Sequence, residues 1–300
     1  MGVVGIPPTT PIAAHPTTVT RPLRTSHAGT ASYPLSPERG TTIQPTKFDQ
    51  LFDAAVPLIS AGRHQRDSPP VEGGRWPVSV VLRPPADTDL IRRLDEITAE
   101  AAALAGPDHW QTGQAGSSHL TVRALETYRS EVECTEPVIQ RYQSAMHRAA
   151  AQSGPAQIEV TGVTLTAGSV MACAVALDDQ ADLFLDRLAF ELGPDAWFEQ
   201  PHGRRDIWYL NLLHFTTAIP DPQPLIDWVE KRRSTPLGQV TIDSAELVRF
   251  HHTPSPPRPF MRPEVLDQVV LRGRRPQDPA EQQPTSRAVV LAVDGYVSLS

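Results

Sequence analysis

From Trp76 onward, short apolar runs alternate with amphipathic stretches. Val78–Leu82 is a nearly continuous apolar run bounded by prolines and predicts a buried strand. Asp87–Leu104 places Leu90, Ile91, Leu94, Ile97 and Ala101 at helical spacing, and Gly106–Pro107 closes it. His119–Leu125 reads as a strand, and Glu136–Ser153 as a second helix stopped by Gly154–Pro155. The rhythm then returns with different residues. Ile158–Thr166 and Val170–Leu177 predict two strands joined at Ala167–Gly168, and Asp179–Leu192 predicts a helix. Ile207–Ile219 follows as one long strand, Pro222–Arg232 as a helix, and Val240–Phe250 and Val265–Leu271 as further strands. Two halves of similar order, each with one His-bearing strand, predict an α+β fold over 76–272. It should be bilobal, with two pseudo-repeated lobes of antiparallel sheet, flanking helices and a central cleft.

The flanks lack such periodicity. Residues 1–75 form a Pro/Thr-rich leader expected to be disordered, because it cannot bury enough surface to offset its ordering entropy. Within it, Phe48–Ile59 predicts one short helix, and Gly62–Gly74 a linker. Residues 273–300 read as a Pro-rich linker and a short C-terminal tail.

Composition narrows the function classes. The 31 prolines cluster toward the two ends, while apolar residues at 40% suffice for a core. A net charge of −7 argues against nonspecific coating of nucleic acid and against stable binding of duplex DNA, which need a basic face. It leaves room for a small, locally positive pocket for one phosphate. Cys134 and Cys173 have neither disulfide-framework nor zinc-site spacing. Met1–Pro11 lacks signal-peptide features, and no run is long enough to span a membrane. A cytoplasmic monomer without cofactor or metal is expected.

The chemistry centres on His-x-Thr. Strand residues i and i+2 share a face, so His119 with Thr121, and His214 with Thr216, should point together while Leu120 and Phe215 pack behind. A threonine hydroxyl can donate to a nonbridging phosphate oxygen, and an imidazole can exchange a proton at a bridging one. Two such half-sites would supply a general base and a general acid, roles that suit an unperturbed pKa of about 6.5. The triplet alone is weak. It also occurs at His15–Thr17, in the leader, and at His251–Thr253, which runs into Pro254. Only the middle two have an apolar second residue inside a strand-like run.

Ser-His-Leu-Thr-Val-Arg-Ala-Leu-Glu (118–126) and Tyr-Leu-Asn-Leu-Leu-His-Phe-Thr (209–216) resemble the two signatures of the two-histidine phosphoesterase superfamily. That superfamily includes bacterial RNA 2′,3′-cyclic phosphodiesterases, also called 2′-5′ RNA ligases. The resemblance covers about 76–272 and implies that His119 and His214 are the acid–base pair and that Thr121 and Thr216 bind phosphate. It implies metal-independent cleavage or transfer at a phosphodiester, with an RNA 3′ end or a small cyclic nucleotide as substrate. Thr217 stands where the family prefers an apolar residue, and the first motif lacks the proline often found before its His. The alternative is a noncatalytic RNA- or nucleotide-binding module of the same fold.

Other residues carry two readings each. Arg123 lies two beyond Thr121 and would clamp a phosphate or make a strand-end salt bridge. Trp208 shares the parity of His214 and would stack on a base or belong to the core. Trp110 is a weaker stacking candidate. His202, Arg204 and Arg205 form a polar loop, read as solvated. Adjacent His251 and His252 face opposite ways in a strand and are read as structural, and Cys173 as a small buried hydrophobe.

Overall fold

The computed structural model describes residues 46–254 and 258–273; the leader over 1–45 and the tail over 274–300 lie outside them. Strands β1 (Val78–Leu82), β2 (Leu120–Glu126), β3 (Ala156–Leu165), β4 (Ser169–Ala176), β5 (Trp208–His214), β6 (Gly238–Ile242), β7 (Ser244–Thr253) and β8 (Phe260–Val270) make two four-stranded sheets. Their orders are β2-β1-β7-β8 and β5-β4-β3-β6, and every pairing is antiparallel. Helices α1 (Lys47–Ser60), α2 (Asp89–Ala105), α3 (Pro137–Ala150), α4 (Gln180–Leu192) and α5 (Gln223–Glu230) turn apolar faces onto the sheets, and a 3₁₀ segment runs over Gly193–His202. This is the expected α+β class. Among the described residues, no helix is long and apolar enough to cross a membrane.

Each sheet mixes early and late strands. The run expected as one strand over Val240–Phe250 is two strands, broken at Asp243, where the chain leaves β3 in one sheet and joins β1 in the other. Ile207–Ile219 is also shorter than expected: β5 ends at His214, and the chain then turns away.

Residues 46–75, expected to belong to the leader, instead give a helix packed on the core and a strap paired to the fold through its backbone. Thr46 caps α1 in a reciprocal bond with Asp49, satisfying otherwise orphaned donors. Phe52, Ala55 and Ile59 are buried in the main core, and the Thr164 hydroxyl of β3 donates to the Phe48 carbonyl. Beyond α1 the polar, Pro-rich stretch forms a strap. Gln65 N–H donates to the Ala167 carbonyl and Asp67 N–H to the Phe215 carbonyl, each at 2.7 Å. Low hydrophobicity marked this stretch as a linker, but backbone pairing rather than apolar burial fixes it.

Candidate functional site

The two motif strands, β2 and β5, are edge strands of different sheets and lie beside one another. The loop between α2 and β2 joins them. Trp110 and His214 exchange backbone hydrogen bonds, and Gly113 N–H donates to the Leu212 carbonyl at 2.9 Å. The Ser118 hydroxyl then donates to the Gly113 carbonyl at 2.7 Å, which sets the chain just before His119. His119 therefore precedes β2 and His214 ends β5.

A wall of aromatic rings links the imidazoles. The Trp76 indole stands edge-on to His214, ring centroids 4.8 Å apart, and packs on Phe250 at 5.7 Å. Phe250 in turn lies 5.1 Å from the His119 ring. Trp110 packs on Trp76 and on His252. His119 is only 7% exposed and His214 2%.

His119 is anchored through Nδ1, and His214 turns Nδ1 toward a carboxylate. The Ser117 carbonyl lies 2.8 Å from His119 Nδ1. A carbonyl only accepts, so the proton resides on Nδ1 and Nε2 keeps its lone pair. At His214, Nδ1 lies 3.0 Å from Asp67 Oδ2, though the N–H is poorly aimed at that oxygen, and Nε2 is buried without a partner among the described residues. The other Asp67 oxygen pairs with Arg75. Asp67 is 7% exposed at its side chain and lines a surface cavity with Gln65, Arg66, Ser68 and Arg75. Sequence reasoning missed Asp67; it is one of two acids in the Pro-rich stretch, with Glu72, and nothing ties it to His214.

Burial pushes the His119 imidazole down to about 4; its bond to the Ser117 carbonyl opposes this, and the charges of Arg83, His214 and Arg205 add to it. Burial also lowers His214, while Asp67 holds it up and Arg75 pushes it down. These arginines are balanced by carboxylates: Arg83 by Glu246, Arg205 by Glu199, and Arg75 by Asp67.

Thr121 is half-buried in β2, two residues beyond His119. Thr216 lies outside the strand. Its hydroxyl donates to the Asp108 carbonyl at 2.6 Å, and its N–H to His109 Nδ1 at 3.1 Å. The hydroxyl can donate to a phosphate only by exchanging that bond. His109, buried and lowered mainly by desolvation, thus holds Thr216, while His64 meets the Thr217 carbonyl at 2.9 Å. Sequence reasoning named neither histidine.

Two bulges redirect the remaining candidates. In β2, Val81 pairs with Thr121 and Val80 with Arg123, so Val122 is the extra residue and the regular continuation beyond Thr121 is lost. Arg123 Nη2 donates to the Ala196 carbonyl of the 3₁₀ segment. In β5, Val170 pairs with Leu213 and Met171 with Asn211, which makes Leu212 the extra residue. The parity linking Trp208 to His214 is thereby broken, and Trp208 lies in the main core. Of the two readings offered for Trp208, the structure has the core one; the indole at the imidazoles is Trp76.

Arg204 pairs with Asp186 and Asp182, and the His202 side chain lies outside the described residues. His251 contacts Glu264, whereas His252 packs on Trp110, so the two diverge. Among the described residues, no three His, Cys, Asp or Glu side chains gather as a metal-binding group.

No family model and no curated protein matches the sequence. Among solved structures, TT0787 of Thermus thermophilus overlaps with a TM-score of 0.46 at 18% identity, covering 66% of this chain and 99% of that one. A structure described as a phosphoesterase gives 0.44 at 12% identity, over 66% and 99%. E. coli LigT complexed with 3'-AMP gives 0.43 at 12%, over 65% and 98%. Overlaps of this size leave the function to be judged from the side chains.

Proposed function

We propose that this protein is a phosphoesterase that opens 2′,3′-cyclic phosphates of RNA ends or nucleotides by paired proton transfer between His119 and His214, without a metal. The observation that carries this reading is the convergence of two imidazoles, distant in sequence, on one aromatic wall, His119 bonded at Nδ1 to a carbonyl and His214 with Nδ1 facing a carboxylate. With Nδ1 engaged, Nε2 is the atom left for a reactant. Water attacks phosphorus as one Nε2 takes its proton; the bond from phosphorus to one ribose oxygen breaks as the other imidazole returns a proton to that oxygen. Each positioned proton transfer contributes about 10²- to 10⁴-fold in rate. Arg83, Arg205 and Arg75 act on the imidazoles, and each would reach an anionic substrate only in competition with its carboxylate partner. Thr121, Arg123 and Thr216 are proposed phosphate contacts, Arg123 and Thr216 only after exchanging their bonds to the Ala196 and Asp108 carbonyls.

The experiment is a panel of 2′,3′-cyclic nucleotides, cyclic-ended RNAs and 2′-5′-linked dinucleotides assayed with a chelator present. Turnover that survives the chelator is the expected result. A strict requirement for a divalent ion, or binding without turnover, overturns it.

A further inference from the structure

The two imidazoles differ at Nδ1, and that difference divides their labour. His119 faces the Ser117 carbonyl, a neutral acceptor that stabilises an imidazolium weakly. His214 faces the carboxylate of Asp67, whose opposite charge favours the protonated ring. Asp67 is itself fixed from two sides, by Arg75 on its other oxygen and by its own N–H on the Phe215 carbonyl, one residue beyond His214. A carboxylate so placed orients the ring and stabilises the charge it carries, as the buried aspartate does in a Ser-His-Asp triad.

We propose that Asp67, from the strap ahead of the motif domain, is the positioning residue that makes His214 the proton donor to the departing ribose oxygen and leaves His119 to take the proton of the attacking water. This deepens the two-imidazole reading and rests on it. Burial lowers both imidazoles; it holds His119 neutral near pH 7, as a base must begin, while at His214 the Asp67 carboxylate opposes it. The groups facing the pair belong to it as well. Asp67 and Arg75 of the strap act on His214, Arg83 after β1 and Arg205 before β5 act on His119, and each imidazole lies within electrostatic reach of the other.

The test uses the full chain and two independent readouts. Imidazole ¹⁵N resonances report tautomer and protonation without any substrate. Asp67→Asn keeps an oxygen acceptor but removes its charge, so His214 should protonate at lower pH while His119 is barely moved. In turnover, Asp67→Asn and Asp67→Ala should lose about 10- to 10³-fold, within what one positioned proton transfer contributes, and the pH limb that requires a protonated group should move to lower pH. Asp67→Glu should recover part of the rate. Unchanged His214 titration in Asp67→Asn overturns the inference. So does an equal rate loss in all three variants that tracks melting temperature and leaves the pH profile in place. Wild-type turnover in His119→Ala would instead sink the two-imidazole reading, and the titration of His214 would still report on Asp67.

Discussion

Trp110 and His214 exchange both of their backbone hydrogen bonds, at 3.1 and 2.9 Å. The loop leading to the first motif is thus bridged, main chain to main chain, onto the edge strand that carries the second. Residues far apart along the chain are held in one register, and the positions of His119 and His214 depend on each other through main chain rather than through side-chain packing alone.

Gly113 tests that coupling. A Cβ there would come within 2.9 Å of Leu212 Cα and closer still to Thr98 Oγ1. Gly113→Ala should therefore push the loop off β5, cost about 1–3 kcal/mol of stability and reduce turnover about 10- to 100-fold through misplacement of His119. Melting curves and kinetics check it; a variant with wild-type values for both would show that the loop has room the structure denies.

His119→Ala and His214→Ala should each abolish measurable turnover on cyclic phosphates while the cooperative melt persists. The loss should exceed ~10²-fold for either, with little further loss in the double variant, because the two act as a unit. Circular dichroism with single-turnover assays settles it.

Stability should depend on His119 in a definite direction. Its folded value of about 4 lies below the ordinary 6.5, so between these pH values the unfolded chain binds more protons than the folded one. The contribution is intact above about 6.5 and is lost as pH falls toward 4, amounting to roughly 3 kcal/mol at ~1.4 kcal/mol per pH unit. His214 and His109 are lowered too and act in the same sense. Melting temperature should drop from pH 7 to pH 4.5, and His119→Asn should flatten the drop. An identical pH dependence in that variant would contradict the assignment.

Burial raises the Cys173 thiol to about 12, whereas Cys134 is exposed. One thiol of the native protein should react with a chromogenic disulfide at pH 8, releasing one equivalent of the coloured thiolate, and two should react in denaturant. Two fast equivalents under native conditions would mean that β4 opens readily.

The parts of this molecule readable from its sequence are those governed by local periodicity. Strand β1, helices α2 and α4, and the presence of a strand at each motif follow from apolar spacing and from Gly-Pro stops, whereas the end of β5 at His214 did not. Bulges leave no such trace. The extra residue at Leu212 sends Trp208 into the core, and nothing in Tyr-Leu-Asn-Leu-Leu announces it. Asp67 escaped notice because a strap paired through its backbone has the composition of a linker. The switch of sheets at Asp243 was equally silent, since β6 and β7 read as one apolar run.

Trp76, whose indole lies against His214, has a φ of +79°, in the left-handed region that a side chain of this size rarely occupies. Such a backbone costs of order 1–3 kcal/mol and persists only where its surroundings impose it. Glycine would relax the main chain there and leave a hole the size of an indole next to the imidazole. Position 76 therefore sets conformational comfort against filling the space beside His214, and the residue found there is the one that fills it.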